Sequence, residues 1–184
     1  MKVWVFYFII VNYLEFSNAD LAFGKCADID GITPFNVTDI LGRWYVYEVN
    51  EIIGVFTKCM TFNFQKPSNT SSRVVLTVSN GIIGQYFTTT CRLDQIGQTS
   101  KFNQQGLFQL STPFYIMGTD YQSYLIAYIC FDILGAAHDK NVLVLTRQRH
   151  PSDDVIRNAE NVVIGRGLGQ PRYFFKVSQD NCSA

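Results

Sequence analysis

Apolar and polar residues alternate through most of the chain after residue 43. The alternation marks eight short runs, at 44–51, 59–66, 73–79, 85–91, 101–110, 115–119, 124–131 and 141–147. Val, Ile, Phe, Tyr and Thr dominate them, the residues that fit a pleated, half-buried surface. Turn-forming clusters such as Lys66-Pro67-Ser68-Asn69 and Ser79-Asn80-Gly81 separate them. Short connections between successive strands favour antiparallel neighbours. The expected class is therefore all-β: an eight-stranded antiparallel up-and-down barrel, closed so that no edge is left exposed. A barrel of that size has room inside for side chains or for one small ligand.

One stretch changes period from two to 3.6. Val155, Ile156, Ala159, Val162 and Val163 recur on one helical face, which predicts a helix over 152–164. Ser152 suits the N-cap, Asp153 and Asp154 suit the first turn, and Gly165 suits the stop. Its apolar face needs a surface, and the outer wall of the barrel supplies one. A tail over 165–184 comes next, with an extended run at 173–177.

The first 19 residues read as a secretory leader, with Lys2, an apolar run from Val3 to Val11, and small residues at Ser17 and Ala19 before a cut. Ala22 and Gly24 offer a second cleavage position. Residues 20–184 then form a single domain, long enough for a sizeable core. No later stretch is long and apolar enough to span a bilayer. The chain is 47% hydrophobic and 16% charged with a net charge of zero. No basic face marks a nucleic-acid partner. Secretion makes disulfides chemically accessible to the five cysteines, Cys26, Cys59, Cys91, Cys130 and Cys182, and spacing alone leaves their connectivity open. No pair has the spacing of a zinc or redox motif. Asn36 and Asn69 head glycosylation sequons. The two histidines, His138 and His150, fall outside the expected strands, so neither is placed to activate a nucleophile inside a barrel. The chain therefore reads as a non-enzyme.

Gly42-Arg43-Trp44-Tyr45 opens the first strand. Gly42 allows a tight turn into it, and Trp44 can plug one end of a barrel with a cation over its ring. Arg147, at the end of the last strand, is the candidate cation. Thr119-Asp120-Tyr121 forms a turn before the seventh strand. These three motifs, in this order and with the helix after the third, resemble those of the lipocalin family. Gly24-Lys25-Cys26 before the first strand and a cysteine near the end bring the chain nearest to its apolipoprotein D and insect bilin-binding branch. The resemblance implies disulfides Cys26–Cys130 and Cys59–Cys182, which leaves Cys91 over, as a buried or half-buried free thiol or as a partner in a mixed or intermolecular disulfide.

The same resemblance puts function inside the barrel. Alternation there turns Val46 and Glu48 inward on the first strand, Met60, Phe62 and Phe64 on the second, and Phe114 and Ile116 on the sixth. It likewise turns Leu125, Ala127 and Ile129 inward on the seventh strand and Leu143 and Leu145 on the eighth. An apolar loop, Ile53, Val55 and Phe56, stands ready as a lid. The expected protein is a secreted, extracellular carrier of a small hydrophobic ligand such as a fatty acid, sterol or retinoid, with no required cofactor and no metal. The resemblance also implies biliverdin or a carotenoid as an alternative. An inward Glu48 adds a biogenic-amine scavenger to the alternatives. A receptor-binding face or a homodimer leaves no motif in this sequence.

Overall fold

The structure is a computed structural model that describes residues 21–66, 73–82, 85–105 and 111–182. The expected leader, the Asn69 sequon and the second half of the 101–110 run lie outside the described residues. The barrel strands are β2 (Gly42–Val49), β3 (Thr57–Gln65), β4 (Arg73–Ile82), β5 (Gln85–Gln95), β6 (Lys101–Gln105), β7 (Ser111–Thr119), β8 (Tyr124–Ile133) and β9 (Ala137–Thr146). Each pairs antiparallel with the next. β9 also pairs with β2, Tyr45 opposite Thr146 and Val49 opposite Leu143, which closes the sheet. The eight-stranded antiparallel barrel read from the alternation is the fold observed.

Two short strands extend this sheet. β1 (Leu21–Phe23) lies along β9. β10 (Phe175–Lys176) pairs with Val49 and Glu48 on the edge that β3 leaves when its pairing with β2 stops at Tyr45 and Thr61. The extended run expected at 173–177 is therefore split, with a 3-10 turn at Pro171–Tyr173 before the strand.

Several boundaries differ from the sequence reading. Ser79-Asn80-Gly81 lies inside β4, opposite Thr88, Phe87 and Tyr86. Gly81 is there for close approach: a Cβ on it would meet the Tyr86 ring at 3.0 Å. β9 begins four residues earlier than expected, because Leu134 and Gly135 (φ 54° and 72°) make the hairpin turn. The apolar loop folds as one helical turn, α1 (Ile53–Phe56).

The main helix, α2 (Asp153–Gly165), has Ser152 at its N-cap position, although the serine side chain makes no capping bond. Gly165 is the last helical residue, and the left-handed stop is Gly167 (φ 66°). Its N–H reaches Ile164 O, and Leu168 N–H reaches Val163 O, the paired bonds of a Schellman cap. α2 buries Ile156, Ala159 and Val163. With Leu168, the latter two pack on Tyr115, Met117, Ile126, Tyr128, Val142 and Val144 of the outer wall. Gly118 lets the helix come close, since a Cβ there would collide with Val162. Among the described residues, no helix is long and apolar enough to cross a membrane.

Candidate functional site

The barrel has a floor. Gly42 enters β2 at φ 93°, a conformation that favours glycine. Two residues on, Trp44 is fully buried, and its indole N–H donates to Ile40 O at 2.7 Å. Arg147 lies just past β9 with its guanidinium carbon 3.7 Å from the Trp44 ring centroid. It donates to Leu41 O at 2.9 Å and to Asp39 O at 3.1 Å, which ties the chain before β2 across the floor. Burial pulls the Arg147 pKa down from its ordinary value. Beside it, Asp120 Oδ1 accepts from the backbone N–H of Gln122, Ser123 and Tyr124. Thr119 Oγ1 donates to Tyr124 O and accepts from Tyr121 N–H. Burial raises the Asp120 pKa, but the hydrogen bonds from the Ser123 hydroxyl and from the three backbone N–H groups outweigh it and hold the carboxyl below its usual range.

Above the floor, the expected inward residues divide into three groups. Val46, Phe62, Phe64, Phe114, Ile116, Leu125, Ala127, Leu143 and Leu145 are buried in one interior cluster with Trp44. Four phenylalanines carry its centre, with Phe114 within 6.2–6.4 Å of the Phe62, Phe64 and Phe102 ring centroids. Met60 and Ile129 sit half-buried at the cluster's upper margin. Phe56 stands apart on α1 and is 56% exposed, so it is not part of the interior set in this structure. Val55 beside it is exposed too.

The open half of the barrel lies toward β4 and β5. Their register is continuous from Arg73 opposite Asp94 to Ile82 opposite Gln85. Because Leu76 and Cys91 face inward, alternation also turns Val78, Asn80, Thr89 and Phe87 inward. Thr89 and Phe87 are nevertheless exposed, as is the whole of 85–90, so solvent reaches this end of β5. Two carboxamide oxygens in this region, Asn80 Oδ1 and Gln104 Oε1, are buried and have no hydrogen-bond partner. Neither residue belongs to the set expected from sequence. Gln104 could have been found, since it alternates with Phe102. Asn80 was hidden by the turn assigned to Ser79-Asn80-Gly81.

Glu48 requires a correction, for it does not face the interior. Val46 sits opposite Leu145, but Glu48 sits opposite Val144, one partner further on rather than two. Tyr47 is the extra residue of a β-bulge, and a bulge reverses the face of the residues after it. Leu145 belongs to the interior cluster and Val144 to the cluster under α2. Glu48 is thus buried outside the barrel, 3% exposed, against Glu160 of α2 and Lys176 of β10. Burial pushes its carboxyl from 4.5 up to about 7, with Glu160 adding to the rise and Lys176 opposing it. The folded state therefore keeps a proton that the unfolded chain has already released. The stability tied to this group is complete below about 4.5 and falls as pH rises through about 7. Glu48→Gln should remove that slope. Urea midpoints of both proteins at about pH 5 and about pH 8 would show it, and parallel changes in the two would refute it.

The structure contains disulfides Cys26–Cys130 and Cys59–Cys182. Cys91 is a buried free thiol on the interior face, and burial raises its pKa to about 11. At that value it stays a thiol at neutral pH and is a poor nucleophile. His138 Nδ1 lies 3.0 Å from Gly24 O on the outer side of β9, and His150 faces Asp180. Asn36 is exposed at the start of a 3-10 turn, Val37–Ile40, where its Oδ1 accepts from Thr38 N–H and Oγ1. No group of three or more His, Cys, Asp or Glu side chains suited to a metal ion occurs among the described residues.

A closed eight-stranded barrel, a Trp–Arg floor and one helix on the outer wall define a lipocalin fold. Comparison with known proteins agrees. Apolipoprotein D of Cavia porcellus is 25% identical over 166 residues, covering 87% of this chain and 85% of that protein. Insecticyanin from the tobacco hornworm Manduca sexta superposes with a TM-score of 0.71 at 16% identity, covering 88% and 89%. Lobster apocrustacyanin A1 superposes with a TM-score of 0.69 at 19% identity, covering 88% and 92%. No family model matches the chain. The chain therefore has the lipocalin fold and is similar in sequence to apolipoprotein D and in structure to insecticyanin.

Proposed function

We propose that the protein is a secreted, extracellular carrier that encloses one small hydrophobic molecule in the open half of its barrel and releases it unchanged. The observation that carries this reading is the contrast between the two halves of the interior. The lower half is sealed by Trp44 and the phenylalanine cluster. The upper half keeps Phe87 and Thr89 accessible and holds two unpaired carboxamide oxygens, those of Asn80 and Gln104. An apolar ligand resting on Met60, Val78 and Ile129 would leave water at about 25 cal/mol per Å². A hydroxyl on it would donate to Asn80 Oδ1 or Gln104 Oε1, and a carboxylate would instead accept from their amide N–H groups, either of which fixes its orientation. Fatty acids, sterols and retinoids all fit that chemistry. The deeper residues Phe62, Phe64, Phe114, Leu125 and Leu143 then act as the packed base of the site. Glycosylation at Asn36 belongs to the same reading, since its side chain is exposed.

Protein secreted from eukaryotic cells and purified without detergent should release a stoichiometric lipid on extraction. A visible absorption band with a released tetrapyrrole or carotenoid would make it a pigment carrier instead. Position is tested separately with Val78→Trp and Thr89→Trp, whose rings have lumen to fill and so leave the core undisturbed. The double variant should fold and lose uptake by about tenfold or more. Full uptake by the folded variant would place the ligand elsewhere.

A further inference from the structure

The groove that holds Glu48 is separate from the barrel interior. It lies between β2, the C-terminal half of α2 and the tail, with a volume of about 470 Å³. Glu48 and Glu160 line it, and Ile164, Phe174 and Pro171 give it apolar walls. Glu48 Oε2 is buried there and has no hydrogen-bond partner. A buried carboxyl oxygen without a partner is costly, and this one faces a second carboxylate. The two cations of the groove are turned to aromatic rings. Lys176 Nζ lies 5.4 Å from the Tyr47 ring centroid, and the Arg172 guanidinium carbon lies 4.8 Å from that of Tyr173.

We propose that this outer groove is a second binding site, for a small organic ammonium ion whose apolar body rests on Phe174 and Ile164 while its N–H groups donate to Glu48. An ammonium supplies what Glu48 Oε2 lacks, a donor, and adds its positive charge to that of Lys176 and Arg172 beside the Glu48–Glu160 pair. An apolar body suits the walls as a bare metal ion does not. The site loads independently of the barrel ligand, because the wall of β2 separates them.

Protonation couples to this site. The groups facing Glu48 are Glu160 on α2 and Arg172 and Lys176 on the tail. Bound ammonium favours the ionised carboxyl, so affinity should rise as pH increases through about 7, where Glu48 loses its proton.

The test is calorimetric titration of the full disulfide-bonded protein with 2-phenylethylamine, using 2-phenylethanol as the uncharged match. The expected result is one equivalent of amine bound at about pH 8, and binding weaker on the order of tenfold for the alcohol, for Glu48→Gln and for the wild type at about pH 5. The Val78→Trp, Thr89→Trp double variant should bind the amine like the wild type. Where Glu48→Gln fails to fold, Glu160→Gln takes its place and should weaken binding several-fold. No saturable binding, equal binding of the alcohol, or an unchanged affinity in the folded Glu variants would overturn the proposal. Loss of amine binding in the folded plugged barrel would also overturn it, by placing the amine inside.

Discussion

Trp44→Ala should lower the unfolding free energy by roughly 3–5 kcal/mol, whatever ligand the barrel carries. Three effects act in the same direction. The indole is fully buried at the base of the interior cluster, so its removal leaves a cavity between Ile40 and the phenylalanine layer. Ile40 O loses the indole N–H that now reaches it at 2.7 Å. Arg147 loses the ring it covers at 3.7 Å, while its guanidinium stays fixed by Leu41 O and Asp39 O. Trp44→Phe separates these effects. It keeps most of the apolar fill and forfeits the hydrogen bond, so it should cost about 1–3 kcal/mol. Urea denaturation of both variants is the measurement. An unchanged midpoint in Trp44→Ala would show that the floor does not depend on its central ring.

The floor was also the part of the molecule most legible in the sequence. Gly42, Trp44 and Arg147 are residue types with narrow structural uses, and the eight alternating runs set how many strands lie between them. What the alternation could not convey was its own interruptions. A bulge needs no special residue: Tyr47 looks like any strand tyrosine, yet it reverses Glu48 and moves a carboxyl from the lumen to the outer groove. The opposite error arose at Ser79-Asn80-Gly81, where turn-forming residues continue a strand because Gly81 makes room for Tyr86. That error also concealed Asn80, one of the two unpaired acceptors in the open half. Gly165 was a plausible helix stop, but the left-handed residue is Gly167, since α2 remains helical until Leu168 can turn back onto Val163. The tail was illegible for another reason. Its place depends on where β3 departs from β2, and neither strand records that locally.

That departure makes the Cys59–Cys182 bridge the second large effect. Above Tyr45 and Thr61, β2 and β3 no longer pair, and the tail occupies the seam. Val177 N–H donates to Tyr47 O at 2.9 Å, and Cys59 N–H donates to Ser178 O at 2.8 Å. Gln179 spans the gap, its Nε2 donating to Val46 O at 2.9 Å and to Met60 O at 3.0 Å. Val177 is buried within the interior cluster, so the tail is part of the barrel wall. The bridge joins residues 123 apart. Closing a loop of that length removes denatured-state entropy worth roughly 5 kcal/mol in the chain-entropy model. Cys59→Ser with Cys182→Ser should lose most of that and should also open the seam locally. Amide hydrogen exchange distinguishes the two consequences: the N–H groups of Val177 and of position 59 should lose protection well before those of β8. Cys26–Cys130, 104 residues apart, closes a comparable loop but anchors the N-terminal segment on the outer wall. Its removal should cost a similar amount and leave the seam protected. Equal exchange at Val177 in the two double variants would mean that hydrogen bonds alone hold the tail, with the Cys59–Cys182 bridge acting only through the unfolded chain.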